Sequence, residues 1–183
     1  MVTQGQLMSM TGRVVQIQQR AYSEDQKTQR RKGILSAAAS LFKKRRYEEV
    51  MMADIASESG VAKGTLYVYF RTKEELFLVY AKQEIDLFFT RLHDKLSRQS
   101  EPVGVSGFVS ALGLTYAESR DMIRLLALLH MVLESNAGYE KSLEFRSALI
   151  PLLERTGAEC ERHLWFVGPG EGKRLLLTIH GIS

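Results

Sequence analysis

The sequence predicts an all-α protein in which a small N-terminal helical domain precedes a larger helical body. Apolar residues recur at helical spacing along most of the chain, and no segment alternates apolar with polar residues as a half-buried strand would. The 183 residues include only three prolines, and an apolar fraction of 45% is ordinary for a folded globular protein. A chain of this length can hold one full core or two unequal domains.

Composition also limits where the protein works. Cys160 is the only cysteine, which excludes an internal disulfide and suits a reducing compartment. Charges interrupt every long apolar stretch, and the first 20 residues lack the apolar run of a signal peptide. We therefore expect a cytoplasmic protein without a membrane partner.

The N-terminal third of the chain is basic. Eight basic residues and no acidic one lie between Lys27 and Arg46, although the whole chain has a net charge of only +4. Such concentrated positive charge indicates a polyanionic partner, with nucleic acid favoured over a membrane. The alternative is a solvated basic face, which charge alone does not exclude.

Residues 1–26 show no sustained hydrophobic period and mix glutamine, glycine and serine, so we predict a flexible N-terminal extension. This extension contains Arg13 and Arg20. The two cations leave open an arm that reaches a phosphate or a minor groove, although a disordered tail is the favoured interpretation.

The first helix is predicted from Arg30 onward, within a domain that covers residues 27–75. Its apolar residues fall on one helical face: Ile34, Ala38, Leu41 and Phe42. The basic cluster from Lys43 to Arg46 follows this stripe, where it also complements the negative end of the helix dipole.

Two shorter helices follow. The second contains Ile55 and Ala56 and stops at Ser59-Gly60, because glycine readily adopts the left-handed conformation that ends helices. The third is predicted from Ala62 to Phe70, with Leu66 on its buried side.

A fourth helix is predicted to begin at the capping box Thr72-Lys73-Glu74-Glu75 and to continue to about Ser97. Four further helical patterns span Phe108–Tyr116, Met122–Glu134, Tyr139–Phe166 and Lys173–Ile182. Pro151 predicts a break or kink in the third of these. Residues 76–183 are thus predicted to form the helical body.

The spacing of Ala56, Gly60 and Leu66 is that of a helix-turn-helix, in which a small residue, a turn glycine and an aliphatic anchor hold two short helices together. The stretches ILSAAASLF, IASESGVAKGTLYVYF and KEEL surround this motif. Together they resemble the DNA-binding domain of TetR-type transcriptional repressors over residues 31–76. The resemblance implies a homodimer that binds a two-fold symmetric double-stranded DNA operator and responds to a small-molecule effector.

The third helix is expected to read DNA in the major groove. Lys63 suits a guanine edge or a phosphate, and Thr65 and Val68 suit base edges or a thymine methyl group. Gly64 permits close approach of the backbone to DNA, where free amides at the helix start favour a phosphate.

Three further residues are expected to bind phosphates. Tyr67 and Tyr69 supply hydroxyl donors on rigid rings, and the resemblance implies that Lys73, in the first turn of the fourth helix, meets a phosphate. The alternatives are ordinary aromatic packing for the tyrosines and simple surface placement for the lysines.

Two positions depart from the TetR-type pattern. Arg46 stands where those repressors usually have glycine, and Met51 stands where they have a threonine that caps the second helix. A missing cap costs about 1 kcal/mol. We therefore expect either a substitute group at Met51 or a loose helix start.

The resemblance assigns the last two helices to a four-helix dimer contact and the middle helices to an effector pocket. The apolar final helix suits such a contact. Because the chain ends at Ser183, earlier than TetR-type repressors generally do, we expect a C-terminal truncation.

The predicted effector is apolar or amphipathic, because most small-molecule sites have apolar walls with few polar groups. The candidate ligand-binding residues are Phe89, Met122, Leu126, His130, Met131 and Glu134. His130 and Glu134 are four residues apart and suit the polar end of a ligand. The alternative is an ordinary core with a partly exposed edge.

Other chemistries find little support. The glycines of GPGEGK, residues 168–173, are too close together for a phosphate-binding loop. Cys160 and His163 lack companion metal ligands, so we expect neither a metal nor a cofactor. No nucleophile, base and orienting group occur together, so an enzyme is not expected. The remaining alternative is a helical binding or scaffold protein whose helix-turn-helix does not read DNA.

Overall fold

The computed structural model confirms the all-α fold. It describes residues 4–99, 102–129, 136 and 138–180, with side chains from residue 24 to residue 179 of these ranges. The described residues form helices and turns and contain no strand. Their helices are α1 Gln4–Lys44, α2 Met52–Glu58, α3 Lys63–Tyr69, α4 Lys73–Ser97, α5 Gly104–Ala117, α6 Arg120–Leu128, α7 Tyr139–His163 and α8 Gly172–His180, with a 3₁₀ turn at Tyr47–Glu49.

The first helix is longer than predicted. It begins at Gln4 rather than at Arg30, so it continues through the predicted domain boundary at residue 27. Helices do not require an apolar stripe, and glutamine and arginine are good helix formers. A signal was nevertheless present, because Leu7, Met10, Val14 and Ile17 recur at helical spacing. The flexibility of residues 1–26 stays a prediction.

The chain divides into two compact units, Met1–Tyr69 and Phe70–Ser183. In the first unit, α1 packs on α2, and α2 packs on α3. The predicted stripe of α1 forms its core with Ile55 and Leu66, because all these side chains are buried. Two polar contacts join this part of the chain to α2: Ser40 of α1 donates to Glu58 at 3.2 Å, and Arg45, just after α1, donates to Asp54 at 2.9 Å.

The turn between α2 and α3 depends on Gly60. Its φ of +68° lies in the left-handed region, which side chains on Cβ disfavour. The amide of Val61 donates to the carbonyl of Ala56 at 3.0 Å and closes the turn. The helix-turn-helix predicted from the spacing of Ala56, Gly60 and Leu66 is therefore formed.

In the second unit, α4 packs on α5, α6 and α7, and α8 packs on α7. Helix α4 begins as predicted, because the Thr72 hydroxyl accepts a hydrogen bond from the Glu75 amide at 3.0 Å. The other half of the capping box differs, since the Glu75 carboxylate accepts the amide of Arg71, at 2.9 Å, rather than that of Thr72.

Helix α7 differs from its prediction at two points. It is continuous through Pro151, so the predicted break is wrong and the kink stays a prediction, and it ends at His163 rather than at Phe166. Proline lacks the amide that would donate to the carbonyl of Ser147. Both residues are exposed, so no buried carbonyl loses its hydrogen bond. Trp165 lies in the turn beyond α7 and is 86% exposed.

Among the described residues, none of the helices combines the length and the apolar character that crossing a bilayer requires.

Candidate nucleic-acid interface

Helix α3 has one buried and one exposed side. Leu66 is completely buried and anchors the helix in the N-terminal unit. Val68 is 82% exposed and Tyr67 41% exposed, and Lys63 is exposed at the start of the helix. The helix thus offers a basic, an aromatic and an aliphatic side chain to the surroundings. This combination suits phosphates, base edges and thymine methyl groups.

Gly64 adds room for close approach. It is exposed, and a Cβ built at this position would have no atom within 4 Å. Its φ is not in the left-handed region. The fold therefore does not require glycine here, and any requirement must come from something that approaches the helix from outside.

Thr65 and Tyr69 are less accessible than the other predicted residues of α3. Both are half-buried, so each places part of its side chain against the domain. The role of Tyr69 in phosphate binding therefore stays a prediction beside the alternative of aromatic packing. Helix α3 therefore brings six of the seven predicted DNA-binding residues onto one element.

The seventh residue, Lys73, belongs to the C-terminal unit. It is the first residue of α4 and is half-buried, next to the Thr72 cap. Its position in the first turn adds positive charge to the free amides of that helix terminus.

The start of α2 has a substitute for the missing threonine cap. Met51 makes no side-chain cap hydrogen bond and is 58% exposed. The Asp54 carboxylate instead accepts the Met51 amide at 3.4 Å, and its Oδ2 is also held by Arg45. An acidic residue in the first turn favours the positive end of the helix dipole, so the helix start is held without the threonine.

Arg46 is compatible with its backbone conformation. Its φ of −74° and ψ of 157° are extended values that any residue adopts, so glycine is not needed here. Its amide donates to the Glu49 carboxylate at 3.0 Å, which supports the following 3₁₀ turn. Lys43 and Lys44 at the end of α1 are exposed.

The predicted effector residues lie in the second unit and are only partly described. Phe89 and Met122 are each 1% exposed, and Leu126 is half-buried. His130, Met131 and Glu134 lie outside the described residues. Burial this complete is what core residues have, so Phe89 and Met122 agree with the core interpretation and become ligand contacts only if the core opens.

A partly buried hydrogen bond joins α4 to α6. Tyr80 is 3% exposed, and its hydroxyl donates to Asp121 at 2.8 Å. Burial, followed by this hydrogen bond, raises the pKa of Tyr80. Sequence reasoning missed this pair, because the two residues are far apart along the chain and each has an ordinary local pattern.

A second polar cluster lies between α4 and α7. Glu159 is 5% exposed, with His163 Nε2 at 3.7 Å, His93 Nδ1 at 4.0 Å and Arg162 at 3.0 Å. His163 is also buried, and neither of its ring nitrogens has a hydrogen-bond partner among the described residues. Within the same described part of the chain, no three potential ligands come together in an arrangement that holds a metal ion.

Two surface cavities are formed in the second unit. One, of about 550 Å³, lies where α4 and α7 begin, near Arg71, Glu75 and Lys141. The other, of about 480 Å³, lies between the end of α4 and α5, near Arg98 and Leu114. Phe89, Met122 and Leu126, the predicted effector residues whose side chains are described, line neither cavity.

Comparison with known families accounts for both units. Residues 34–80 match the family model described as bacterial regulatory proteins of the tetR family. Residues 82–182 match the model of the tetracyclin repressor-like C-terminal domain. The chain belongs to the TetR family. It is a transcriptional regulator with an N-terminal helix-turn-helix DNA-binding domain, and TetR-family regulators are not enzymes.

Individual TetR-family relatives agree with this assignment. The uncharacterized HTH-type transcriptional regulator YfiR of Bacillus subtilis (strain 168) is 30% identical over 90 residues, which are 49% of this chain and 44% of the relative. The fatty acid metabolism regulator protein of the same organism is 28% identical over 67 residues, which are 37% of this chain and 34% of the relative. The chain thus aligns with less than half the length of these relatives.

Solved TetR-like structures share the fold. The transcriptional regulator SCO7518 from Streptomyces coelicolor A3(2) has a TM-score of 0.58 at 20% identity, with 84% of each chain covered. The TetR family repressor AlkX from Dietzia sp. strain DQ12-45-1b has a TM-score of 0.52 at 20% identity, covering 83% of this chain and 79% of AlkX. Both likenesses extend over most of the chain, beyond the helix-turn-helix alone.

Proposed function

We propose that this TetR-family regulator is a cytoplasmic repressor that binds a palindromic DNA operator as a homodimer and is released by a small apolar or amphipathic effector. The observation that carries the proposal is that α3 has one buried and one exposed side. Leu66 is buried, while Lys63, Tyr67 and Val68 are exposed on a helix of the helix-turn-helix.

The residues of α3 have distinct proposed roles. Lys63 reaches a guanine edge or a phosphate, and Val68 and Thr65 contact bases in the major groove. Tyr67 and Tyr69 donate hydrogen bonds to phosphates, which positions the helix without reading sequence. Lys73 contributes another phosphate contact from the start of α4.

The homodimer is proposed to form through α7 and α8. Helix α7 exposes Tyr139, Leu143 and Ile150, at spacings that place them on one side of the helix. Leu175, on α8, is half-buried. An apolar surface of this kind on two adjacent helices suits burial against a second copy. A C₂ dimer would also match the two-fold symmetry of a palindromic operator.

The dimer has a direct test. Leu143→Glu combined with Ile150→Glu should convert a dimer to a monomer in sedimentation velocity. Each copy would then have to bury two carboxylates in the interface. Retention of the dimer would show that these residues do not form the contact.

The effector is proposed to enter the second unit near Phe89, Met122, Leu126, His130, Met131 and Glu134. Apolar walls with few polar groups favour an apolar chain that has one polar end. The partial similarity to a fatty acid metabolism regulator supports the same ligand class.

One experiment tests repression and release together. Fragments of genomic DNA retained by the full chain are selected, and binding of the best fragment is followed by fluorescence anisotropy with saturated fatty acids, dodecylamine or buffer added. We expect tight binding that at least one amphiphile weakens. A binding slope that is flat against salt would favour the scaffold alternative, because several phosphate contacts require a steep negative slope.

Removing one positive charge tests a single phosphate contact in the same experiment. Lys73→Ala should reduce the magnitude of the salt slope by about 1 if the lysine meets a phosphate. An unchanged slope and affinity would remove Lys73 from the proposed contact.

A further inference from the structure

The first helix continues well outside the part of the chain that the TetR family model matches. The match begins at residue 34, whereas α1 begins at Gln4. Ile34 is also the first buried residue of α1 among those with described side chains, and every residue from 24 to 33 is exposed. This ten-residue stretch, which we call the α1 extension, therefore has no side packed on the protein.

The α1 extension has an uneven distribution of charge. It contains four cations and two carboxylates and, apart from Gly33, only polar side chains. Lys27, Arg30 and Arg31 are spaced i, i+3 and i+4, so they share one side of the helix. Lys32 follows Lys27 by five residues and points to another side at 100° per residue. An exposed helix that is polar all round and carries excess positive charge is suited to an anionic partner.

The α1 extension belongs to the same compact unit as α3, because that unit spans Met1–Tyr69. Lys27 Nζ donates to Glu24 at 2.7 Å, and this exposed hydrogen bond is the largest cause of the raised pKa of Lys27.

We propose that Lys27 and Arg30 of the α1 extension form a second DNA-contacting surface, which binds the phosphate backbone beside the bases that α3 reads. This proposal rests on the proposed operator binding. Arg30 has no ion-pair partner among the described residues, and Lys27 has only an exposed pair with Glu24. Exposed pairs of this kind contribute little, so a phosphate can replace the carboxylate.

A phosphate backbone fits this surface better than an apolar partner does. The α1 extension offers no apolar side chain to bury, so a protein interface or an inserted membrane helix would gain little from it. Duplex DNA presents about one charge per 1.7 Å of its axis. Lys27 and Arg30 are about 4.5 Å apart along α1, so each can meet its own phosphate. Residue 27 also lies about 10 Å along the helix from Ile34, so the surface is displaced from the core of the domain.

The test compares single charge removals on different sides of the same helix. Lys27→Gln, Arg30→Gln and Lys32→Gln each remove one positive charge from an exposed position, and Lys32→Gln is the matched control. Each full-length variant is titrated against two duplexes that carry the fragment selected from genomic DNA. One duplex contains only the two operator half-sites. The other is extended on each side by about one helical turn, roughly 10 base pairs.

We expect wild type and Lys32→Gln to bind the extended duplex several-fold more tightly than the trimmed one. Lys27→Gln and Arg30→Gln should lose most of this gain and reduce the magnitude of the salt slope on the extended duplex by about 0.9 each. Equal effects of all three substitutions would overturn the proposal, as would a wild type that binds both duplexes equally. A wild type that binds neither duplex would instead refute the operator function itself.

Discussion

The carbonyl oxygen of Gly157 lies so close to Gly172 that a Cβ at position 172 would overlap it. In the other direction, a Cβ at Gly157 would come within 2.6 Å of the backbone nitrogen of Lys173. The obstacle in both cases is backbone, which cannot rotate aside as a flexible side chain can. These two glycines therefore permit the close packing of α8 on α7, the pair of helices through which the dimer is proposed to form.

Gly157→Ala should destabilise the protein by about 1 to 3 kcal/mol, because the added methyl group forces the two backbones apart. Urea denaturation followed by circular dichroism measures this change. Gly113→Ala is the control, since a Cβ at that helical position would have no atom within 4 Å. It should be neutral or stabilising by up to about 1 kcal/mol. Equal stability of both variants would show that α7 and α8 are not packed this closely.

Tyr67→Phe should weaken operator binding about five-fold, which corresponds to roughly 1 kcal/mol for one lost hydrogen bond to a phosphate. The ring is only partly covered, so helicity and thermal stability should not change. Tyr116→Phe is the control, because that tyrosine lies on α5, outside the surfaces proposed for DNA and for the dimer. Fluorescence anisotropy with the selected fragment distinguishes the two variants. Wild-type affinity for Tyr67→Phe would exclude the phenol from the interface.

Gly64→Ala should separate folding from DNA binding. The fold has room for the methyl group, and replacing glycine with alanine inside a helix stabilises it by about 0.5 to 1 kcal/mol. The same methyl group should obstruct close approach of the α3 backbone to DNA. The expected result is an unchanged or raised melting temperature together with weaker operator binding. If affinity is retained, Gly64 does not touch DNA.

Tyr80→Phe should cost about 1.5 to 3 kcal/mol of folding free energy, because it removes the hydroxyl that donates a hydrogen bond to the Asp121 carboxylate. Equilibrium unfolding gives this value directly. Since Asp121 also has Arg124 at 3.7 Å, part of its charge remains compensated. Replacing both residues, as Tyr80→Phe with Asp121→Asn, should cost less than the sum of the two single changes. Strict additivity would indicate that the hydrogen bond is not formed.

Cys160 should be inert in the folded protein. Burial, with smaller contributions from the charges of Glu159 and Glu161, raises the pKa of its thiol from 9.0 to about 12. Iodoacetamide at pH 8 should therefore label the urea-unfolded chain much faster than the native one, because the thiolate is the nucleophile. Equally rapid labelling of the native protein would contradict the burial of this side chain.

The same shift predicts a loss of stability at high pH. The folded-state pKa is raised, so the buried neutral thiol stabilises the protein fully below about pH 9 and loses this effect as the pH rises towards 12. Over that interval the loss approaches about 1.4 kcal/mol per pH unit. Cys160→Ala lacks this contribution, and its unfolding free energy should fall less steeply between these pH values. Identical slopes would assign the loss to other groups.

Local signals in the sequence were sufficient for the DNA-reading module. The left-handed turn at Gly60 and the Thr72 cap depend on backbone preferences and on partners a few residues away, so the sequence reveals them directly. The buried position of Leu66 follows from helical spacing. The six predicted residues of α3 are exposed or half-buried because the opposite side of a short helix can only face outward.

By itself, then, the sequence determined the all-α class, the helix-turn-helix and the order of the helices, since each depends on interactions over a few residues. Only the tertiary structure decided the Gly157–Gly172 approach, the Tyr80–Asp121 hydrogen bond and the complete burial of Phe89 and Met122. These features join segments that are distant along the chain, and their energies depend on packing that no local pattern records. The tertiary structure also decided the exposure of the α1 extension, because a basic sequence looks the same whether it packs on the protein or faces a partner.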